Sequence, residues 1–555
     1  MSRLCEGRVV IVTGSGRGIG REHALSLAKH GAFVVVNDLG AGVDGKGGDA
    51  SPAQQVVNEI EAMGGKAIAN GDDISSWDGA ERLIKTAVET FGDLHAVVNN
   101  AGILRDRMLA NMSEEEWDAV IKVHLKGTFA PSRHAAAYWR DQSKAGKAGV
   151  AAALTLVASG KDVLIIDKAV FPRDKCCGDG LTTGALRILE MLGFNPNSVA
   201  NYQICDEVAL RSPSGREIQL DLPNARDQKT GQFAAIAPRI ELDNALVQHA
   251  RASGVRIVEN CAFVSVASQN SHEIIVNTDC PANLVDYKEI TAKFMIAADG
   301  MWSPVRKSLG ASQSGYLGEW HAFRQYVGNV TGPASKKLFV WFEKDLLPGY
   351  AWSFPLPNGR ANIGFGILRG SKYSVQEMKA LWVELLSRPH IASALGQDAT
   401  LEGRHTAWPI PARITSAKLS SGRTLFVGDA VCAADTMTGE GIGQALLTGV
   451  LAAESITSSP QYNQHKICKS YSQKIKREFF ADHRMSYVLG KILQNAVMTR
   501  GVLRLAGYSN WTRRNFVRWM FEDEPRAAVL TPSRWHRKFL KRDGAFKLSQ
   551  SLETK

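Results

Sequence analysis

The stretch "SKAGKAGVAAALTLVASGKDVLIIDK", Ser143 to Lys168, decides how this chain is divided. It contains a segment of small apolar residues, Val150–Gly160, followed by an apolar run that ends at Asp167. Small residues let a helix pack closely on a sheet, and a helix followed by a buried strand and an acid is typical of a nucleotide-binding βαβ unit. The stretch therefore predicts that a nucleotide-binding fold starts near residue 143, with Asp167 in the ribose position.

A complete unit of the same kind precedes it, in "RVVIVTGSGRGIGREHALSLAKHGAFVVVND", residues 8–38. This segment predicts a buried strand at Val9–Val12, a glycine-rich turn, an amphipathic helix and a second strand that ends at Asp38. The glycines let the backbone approach a pyrophosphate, and Asp38 accepts hydrogen bonds from a ribose and disfavours a ribose phosphate, which predicts NAD. The candidate residues of the turn are Gly14, Ser15, Gly18, Ile19 and Gly20.

The two units share their spacing, but the second is incomplete. Separations of 11 and then 7 residues recur in Gly20, Gly31 and Asp38 and in Gly149, Gly160 and Asp167. A full glycine fingerprint requires glycine at 144, 146 and 149, but the chain has Lys144, Gly146 and Gly149. The preceding "AAYWRDQS" is too polar for a central buried strand. The sequence therefore predicts that the second unit has lost its first strand and first glycine.

Composition limits the class of protein. A chain of 555 residues predicts three or four domains, and 45% hydrophobic with 22% charged residues is typical of a soluble globular protein. There is no signal-peptide pattern and no run of about 18 apolar residues, so a cytoplasmic location is expected. The eight cysteines form no CxxC pairs, which argues against a disulfide scaffold and a metal site.

The net charge of +11 is concentrated near the C-terminus. Between Arg500 and Lys547 there are 12 Lys/Arg and 4 Asp/Glu, a net of +8, so nucleic acid is not an expected partner. Apolar residues recur at Met485, Leu489, Ile492, Leu493 and Val497, which predicts an amphipathic helix. Two interpretations stay open: peripheral contact with an anionic membrane surface, at the inner face of the membrane, or a capping helical domain with a solvated basic face.

The first unit resembles the short-chain dehydrogenase/reductase family, whose TGxxxGxG pattern matches Thr13–Gly20. The resemblance implies an NAD(P) cofactor, and "HLKGTF" with the loop around Asp44 is similar to the branch that oxidises 3-hydroxyacyl-CoA thioesters. Alternating strands and helices up to Arg140 predict a parallel, doubly wound sheet. Further cofactor contacts implied by the resemblance are Asp73, Asn99, Ala101 and Gly102.

The catalytic residues that this family requires are not found. The family uses a Ser and a Tyr/Lys pair four residues apart, because a neighbouring ammonium acidifies the phenol. Here Lys147 aligns with the Lys, but Ser143 stands at the Tyr position, and Gln142 lies four residues beyond Tyr138. His124 also stands where many relatives have a catalytic Asn. The sequence therefore predicts a catalytically incomplete dehydrogenase fragment.

The remainder, roughly 150–530, resembles the geranylgeranyl reductase family of flavoproteins, which share the fold of aromatic-hydroxylating flavin monooxygenases. Four segments carry the resemblance: "FPRDKCCGDGL", "APRIELDNAL", "AADGMWSPVR" and "LFVGDAVCAADTMTGEGIGQAL". It implies an FAD cofactor and an isoprenoid substrate. The cofactor contacts predicted for this part are Gly146, Gly149, Asp167, Lys168, Arg173, Lys175, Arg239, Asp299, Gly300, Gly428, Asp429, Gly439, Gly441 and Ile442.

The flavin motif departs from its relatives in two places. Val431 and Cys432 stand where relatives have Ala-Gly, and Asp435 is followed by Thr436 instead of Pro, so altered flavin packing is expected. Cys177 matches a family position close to the flavin, although free cysteines are more often buried apolar residues. No catalytic residue is assigned.

The substrate side is marked by "PGYAWSFP". In a strand, Tyr350, Trp352 and Phe354 project to one side as an aromatic stripe. In the reductase family this motif lines the isoprenoid tunnel, and the alternative is an aromatic ladder within the core.

Together these patterns predict a two-part α/β chain. A truncated Rossmann-type domain (1–142) precedes an FAD-binding domain (143–480) that lacks its first strand and carries an α+β substrate domain inserted at about 200–290 and 315–410, and a basic helical region (481–555) follows. The function hypothesis is flavin-dependent reduction of isoprenoid carbon–carbon double bonds. The alternatives are an NAD-dependent 3-hydroxyacyl-CoA dehydrogenase and an inactive fusion product.

Overall fold

The computed structural model describes residues 5–40, 51–92, 94–106, 108–141, 147–222, 234–374, 377–522, 525–527 and 531–532. Asp44, Gln142, Ser143, Lys144, Gly146 and the stretch 533–555, considered above, lie outside these residues. The chain forms two compact units, Met1–Ser143 and Lys144–Lys555. Within the described ranges, every helix is too short or too polar to cross a bilayer.

The first unit is a parallel sheet of order β3-β2-β1-β4 with helices on both faces. Val9 and Ile11 pack on one side with α3 and α5, and Val10 and Val12 pack on the other with α1 and α2. The alternation follows from the strand geometry and confirms the predicted doubly wound sheet. The elements are β1 (Val9–Thr13), α1 (Gly18–Lys29), β2 (Phe33–Asn37), α2 (Ser51–Ala62), β3 (Lys66–Asn70), α3 (Trp77–Phe91), β4 (Ala96–Val98), α4 (Glu114–Val120), a π-helical segment (Ile121–Lys126) and α5 (Gly127–Asp141).

The second unit is a mixed α/β structure. Its helices are α6 (Lys147–Ala158), α7 (Thr183–Met191), α8 (Arg239–Ala252), α9 (Pro304–Ser308), α10 (Met378–Ser387), α11 (Pro389–Leu395), α12 (Ile442–Thr457), α13 (Gln464–Ile475), α14 (Ala481–Leu493), α15 (Ala496–Ala506) and α16 (Asn510–Met520). Its strands are β5 (Leu164–Ile166), β6 (Gly180–Leu181), β7 (Gln203–Ile204), β8 (Glu207–Arg211), β9 (Glu217–Asp221), β10 (Ala235–Ile236), β11 (Arg256–Val258), β12 (Ala262–Gln269), β13 (Ile274–Asp279), β14 (Glu289–Ala292), β15 (Met295–Ala297), β16 (Trp320–Gly328), β17 (Leu338–Trp341), β18 (Tyr350–Leu356), β19 (Arg360–Leu368), β20 (Thr400–Ile410), β21 (Ser420–Ser421) and β22 (Thr424–Phe426).

The nucleotide-binding sheet of this unit is divided in two. Strand β5 pairs in parallel with β11, and β15 pairs in parallel with β22. Among the described residues, no strand joins the two pairs. The division lies where a Rossmann sheet has its first strand, the strand that this sequence is predicted to lack.

Helix α6 keeps its place next to the divided sheet through contact with α12. A Cβ on Gly449 of α12 would lie 2.2 Å from the Ala148 carbonyl oxygen and 3.1 Å from the Ala152 nitrogen, so the two backbones touch. The small residues of α6 are buried in this contact. Close helix packing therefore holds the nucleotide-facing end of α6 without the first strand.

A seven-stranded sheet of order β20-β16-β19-β18-β17-β8-β9 lies in the substrate part. The range 200–290 contributes to more than this sheet: β8 and β9 belong to it, β11 belongs to the nucleotide-binding sheet, and β12-β13-β14 form a separate meander. Helices α10 and α11 pack against the seven-stranded sheet in one cluster.

Helices α14 to α16 cover the second unit near β8 and β9. Leu503 and Val517 are buried against Leu210 and Ile218. The amphipathic pattern that starts at Met485 is split between α14 and α15, because the Asn495 side chain caps α15 by accepting hydrogen bonds from its first N–H groups. Consequently Val497, expected on the apolar face, is 71% exposed.

Candidate functional site

The glycine-rich turn of the first unit is as tight as its sequence predicts. Gly14 has φ +61°, and a Cβ on Gly20 would lie 2.2 Å from the Gly14 carbonyl oxygen. Ser15 is buried and donates to the Val12 carbonyl, and Gly18 also has a positive φ, while Ile19 at the start of α1 is exposed. Only glycine fits at positions 14, 18 and 20 without strain.

The acidic candidates of the first unit lie beside this turn and at the end of β3. Asp38 accepts hydrogen bonds from the backbone N–H groups of Gly16 and Gly40, each at 2.8 Å. Burial acts to raise the pKa of Asp73, but hydrogen bonds from the Ser75 hydroxyl and N–H lower it overall. Both carboxylates therefore stand as fixed acceptors.

The segment after β4 closes the same edge of the sheet. Asn99 donates to Ser132 Oγ, and the Ala101 N–H donates to Thr13 Oγ1. A Cβ on Gly102 would lie 2.7 Å from His124 Cε1. The His124 ring in turn lies 2.9 Å from the Ile103 carbonyl oxygen, so it supports this loop.

The proton-transfer residues of a short-chain dehydrogenase are not assembled among the described residues. Tyr138 packs against the cluster that contains Leu83 and Ile84. Lys147, aligned above with the catalytic Lys, begins α6 in the second unit. The aligned Lys therefore belongs to the second unit.

The second unit encloses a cavity of about 300 Å³ that brings three predicted regions together. Its lining includes Gly300 and the flavin-motif residues Gly428, Asp429, Gly439, Gly441 and Ile442. The aromatic stripe Tyr350, Trp352 and Phe354 and apolar side chains of α14 to α16 also line it. Predicted nucleotide-binding residues and apolar side chains therefore share one space.

A buried ion cluster stands at the nucleotide end of α8. Arg239 donates two hydrogen bonds to the Asp243 carboxylate, at 2.8 and 2.6 Å, and Arg173 lies 3.6 Å from the same carboxylate. Burial raises the pKa of Asp243, but the Arg239 charge outweighs it and the pKa falls to about 2. None of the three guanidinium nitrogens of Arg173 has a hydrogen-bond partner.

A second ion pair lies where the flavin motif meets the "KCCGDG" loop. Lys175 Nζ is 3.1 Å from Asp429 Oδ2. Although burial opposes ionisation, Lys175 holds the pKa of Asp429 below its usual range. Asp429 is therefore a charged acceptor at neutral pH, as a hydroxyl-binding carboxylate needs to be.

The other predicted contacts are divided between the site and its surroundings. Asp167 is buried at the end of β5, accepts from the Ala169 N–H, and has its pKa raised to about 6 by burial; Lys168 beside it is half-buried. A Cβ on Gly149 would lie 3.2 Å from Ala298 Cβ, next to the cavity. The Asp299 carboxylate accepts from Ser303 Oγ and the Val305 N–H, so it caps α9.

A network that the sequence did not indicate holds the aromatic stripe and the "KCCGDG" loop. Asp179 has φ +65° and accepts from Tyr326 Oη at 2.6 Å and Asn362 Nδ2 at 2.7 Å. Asn362 also accepts from Trp352 Nε1 and donates to the Cys177 carbonyl. Burial raises the pKa of Asp179 to about 6. Its partners lie about 150 and 180 residues away in the chain, so spacing gave no signal for them.

The end of the described chain is tied to the flavin-motif loop. Arg526 is buried and pairs with Asp435, and it lies 3.5 Å from Glu522 and 3.3 Å from Thr438 Oγ1. Asp435 also accepts from the N–H groups of Met437 and Thr438. This network fixes the loop that precedes α12.

The donor set fits an FAD nucleotide. Buried cations without hydrogen-bond partners favour a nearby anion. The three guanidinium nitrogens of Arg173 have no hydrogen-bond partner, although Asp243 lies 3.6 Å away, and Lys147, which is 5% exposed, lines the cavity. Gly428 has φ +60°, and Ala148 approaches a Cβ built there to 3.2 Å, so this turn lies against the start of α6. No group of side chains suited to a metal ion is found in the part of the chain that the structure describes.

Comparisons with known proteins identify both units. The short chain dehydrogenase family matches residues 8–151, and the FAD binding domain family matches residues 145–474. A short-chain type dehydrogenase/reductase of Mycobacterium tuberculosis is 53% identical over 25% of this chain, which spans only 48% of that protein. The chain thus covers about half the length of that relative.

Two longer matches come from the same organism. Hydroxyacyl-CoA dehydrogenase ChsB1 is 37% identical over 54% of this chain and 85% of that protein. Menaquinone reductase is 32% identical over 57% of this chain and 75% of that protein.

A solved structure confirms the fold of the larger unit. The geranylgeranyl bacteriochlorophyll reductase-like protein of Thermoplasma acidophilum matches with a TM-score of 0.56 at 18% identity, covering 70% of this chain and 97% of that one. Both units are thus oxidoreductase domains, and the chain belongs to the FAD binding domain family and carries a short-chain dehydrogenase domain ahead of it.

Proposed function

We propose that the larger unit is an FAD-dependent reductase of carbon–carbon double bonds in an isoprenoid lipid. The observation that carries the proposal is the cavity, where flavin-motif residues and the aromatic stripe face one space. Its lining also includes Leu489, Ile492 and Val502, which suit a hydrocarbon chain. FAD, when bound and reduced by a nicotinamide dinucleotide, would supply hydride to one carbon of the double bond, and a proton from solvent would be added to the other carbon.

The roles of the chain's own residues follow from their positions. Asp429 would accept hydrogen bonds from the ribityl chain, and Lys175 keeps that carboxylate charged and oriented. Arg239 and Arg173 place positive charge at the nucleotide end. Tyr350 is held by donation to the Thr438 carbonyl and Trp352 by donation to Asn362, so the stripe presents fixed ring faces to the substrate.

The direct test is turnover. FAD-loaded protein, NADH or NADPH and a polyprenyl alcohol are incubated without oxygen, and the lipid is examined by mass spectrometry. We expect one nicotinamide oxidised for each pair of hydrogens added to the lipid. Flavin that is reduced by the nicotinamide while the lipid stays unsaturated would contradict the proposal.

The first unit is proposed to contribute no dehydrogenase turnover. It lacks an assembled Tyr/Lys pair among its described residues, and its Tyr138 packs in the core. We expect no NADH formation from NAD and a 3-hydroxyacyl-CoA, and Tyr138→Phe should change nothing. NADH formation that Tyr138→Phe abolishes would show that this unit is an active hydroxyacyl-CoA dehydrogenase.

The lipid is proposed to enter from an anionic membrane surface that α14 to α16 contact. Residues 484–520 contain seven Lys/Arg and no Asp/Glu. Tyr508 is 83%, Leu505 69% and Trp511 55% exposed, next to exposed Arg504 and Arg513. Exposed apolar and aromatic side chains among cations are typical of helices that lie in a membrane interface. Other residues of the same helices line the cavity, which would give the lipid a short path.

Vesicle binding tests this contact. The double variant Arg500→Glu with Arg504→Glu should bind phosphatidylglycerol vesicles at least tenfold more weakly than the native chain, because each cation near such a surface contributes about 1 kcal/mol. Arg82→Glu, an exposed arginine of the first unit, is the matched control and should leave binding unchanged. Equal binding of the native chain to phosphatidylcholine vesicles, or no binding to either, would contradict the membrane proposal.

A further inference from the structure

The sequence just before α6 departs from the glycine fingerprint that normally binds a dinucleotide pyrophosphate. In a complete βαβ unit, backbone N–H groups of a glycine-rich turn bind the phosphates. Here position 144 is Lys, and the sheet has no first strand among the described residues. A further phosphate ligand is therefore expected from elsewhere in this chain if FAD binds.

Lys147 stands at that position, as the first residue of α6. Its side chain is only 5% exposed, lines the cavity, and makes no hydrogen bond or ion pair among the described residues. A Cβ on Gly428 would lie 3.2 Å from Ala148 Cβ, so Lys147 is adjacent to the turn that carries Asp429. A buried, unpaired ammonium that faces a cavity is costly unless the cavity receives an anion.

The surrounding charges point the same way. The pKa of Lys147 is lowered to about 7, mainly by burial and to a smaller extent by the nearby Arg239 charge. Arg239 and Arg173 share the Asp243 carboxylate and Lys175 pairs with Asp429, so Lys147 is the cation of this group without an ion pair among the described residues. The group comprises four cations, Lys147, Arg173, Lys175 and Arg239, and four carboxylates, Asp167, Asp243, Asp429 and Glu440, with Cys177 also in electrostatic reach.

We propose that the Lys147 ammonium binds the FAD pyrophosphate in this chain and compensates for the incomplete glycine fingerprint at 144–149. The inference rests on the proposed use of FAD by the larger unit. It makes the affinity for FAD depend on a side chain rather than on backbone geometry alone. The affinity for a flavin without phosphates should not depend on Lys147.

The test compares FAD with riboflavin, whose ring is the same but which carries no phosphate. Full-length apoprotein is titrated with each flavin, and quenching of flavin fluorescence gives the dissociation constants. Lys147→Met should weaken FAD binding at least tenfold at pH 6 and leave the affinity for riboflavin unchanged. Lys147→Arg should keep most of the FAD affinity. Removal of an unpaired buried charge should not unfold the protein, and a thermal melt of each variant checks this.

The pH dependence provides a second readout. Phosphate binding stabilises the protonated ammonium, so the Lys147 contribution is full below pH 7 and is lost as the pH rises above it. The native chain should therefore lose FAD affinity between pH 6 and pH 9, and Lys147→Arg should not follow that loss. Asp167, with a pKa near 6, is common to both proteins and cancels in the comparison.

The outcomes separate this inference from the proposed function. Unchanged FAD affinity in Lys147→Met, or an equal loss for FAD and riboflavin, overturns the role of Lys147 while FAD binding by the native chain stands. Failure of the native chain to bind FAD overturns the role of Lys147 and the flavin-dependent function together.

Discussion

Replacing Asp243 with asparagine is expected to lower the free energy of unfolding of the larger unit by about 3–5 kcal/mol, because removing one partner of a buried ion pair leaves the other charge uncompensated. Asp243 is the carboxylate that both Arg239 and Arg173 approach, and all three side chains are buried. An asparagine fits the space but carries no charge. Denaturant unfolding of the full chain, followed by tryptophan fluorescence, measures the difference.

A surface pair is the matched control. Glu454 pairs with Lys474, and both side chains are partly exposed. Glu454→Gln should cost less than about 1 kcal/mol, since solvent screens the pair. Similar losses in both variants would show that the Asp243 cluster is not the buried ion site described above.

The Asp243 effect should also depend on pH in one direction. The pKa of Asp243 is depressed to about 2, so its contribution is complete above its unfolded pKa of about 4 and is lost as the pH falls toward 2. The difference in stability between the native chain and Asp243→Asn should therefore shrink below pH 4.

Val502→Trp is expected to lower kcat/KM for a long polyprenyl substrate at least tenfold, because it fills the apolar end of the cavity. Val502 is half-buried on α15 and lines the cavity, whereas Val497 on the same helix is 71% exposed. Val497→Trp is therefore the control with the same change on the opposite face. A tenfold loss corresponds to about 1.4 kcal/mol of transition-state stabilisation.

The substrate length sharpens this test. A short prenyl alcohol that does not reach α15 should react equally well with the native chain and with Val502→Trp. FAD affinity should also stay unchanged, since Val502 belongs to α15 and not to the segments predicted to bind FAD. Equal kcat/KM for the long substrate in both proteins would mean that the apolar end does not hold the chain.

Features that depend on neighbouring residues, such as strands and their faces, could be predicted from the sequence. The strand predicted at Val9–Val12 is found at Val9–Thr13, because alternating burial and glycine punctuation are properties of neighbouring residues. The acid after each second strand, Asp38 and Asp167, was found in the same way. The stripe of Tyr350, Trp352 and Phe354 likewise follows from the two-residue period of a strand, with ring centroids 6.1 Å apart.

Most ion pairs of the site could not be predicted, because the paired residues are distant in the chain. Lys175 and Asp429 are 254 residues apart, and only folding brings them together. Lys147 was assigned by alignment to a dehydrogenase, although the structure places it in the flavoprotein unit. Arg239 and Asp243 are the exception: their spacing of four on one helix is a signal that "RIELD" contains.

A divided nucleotide-binding sheet should still hold FAD, and titration of full-length apoprotein with FAD, followed by absorption in the blue, measures this. We expect saturable binding of one FAD per chain, with a changed flavin spectrum. Protein that stays colourless after separation from excess FAD would show that α6, the ion cluster and the Asp429 turn do not form a flavin site without the first strand.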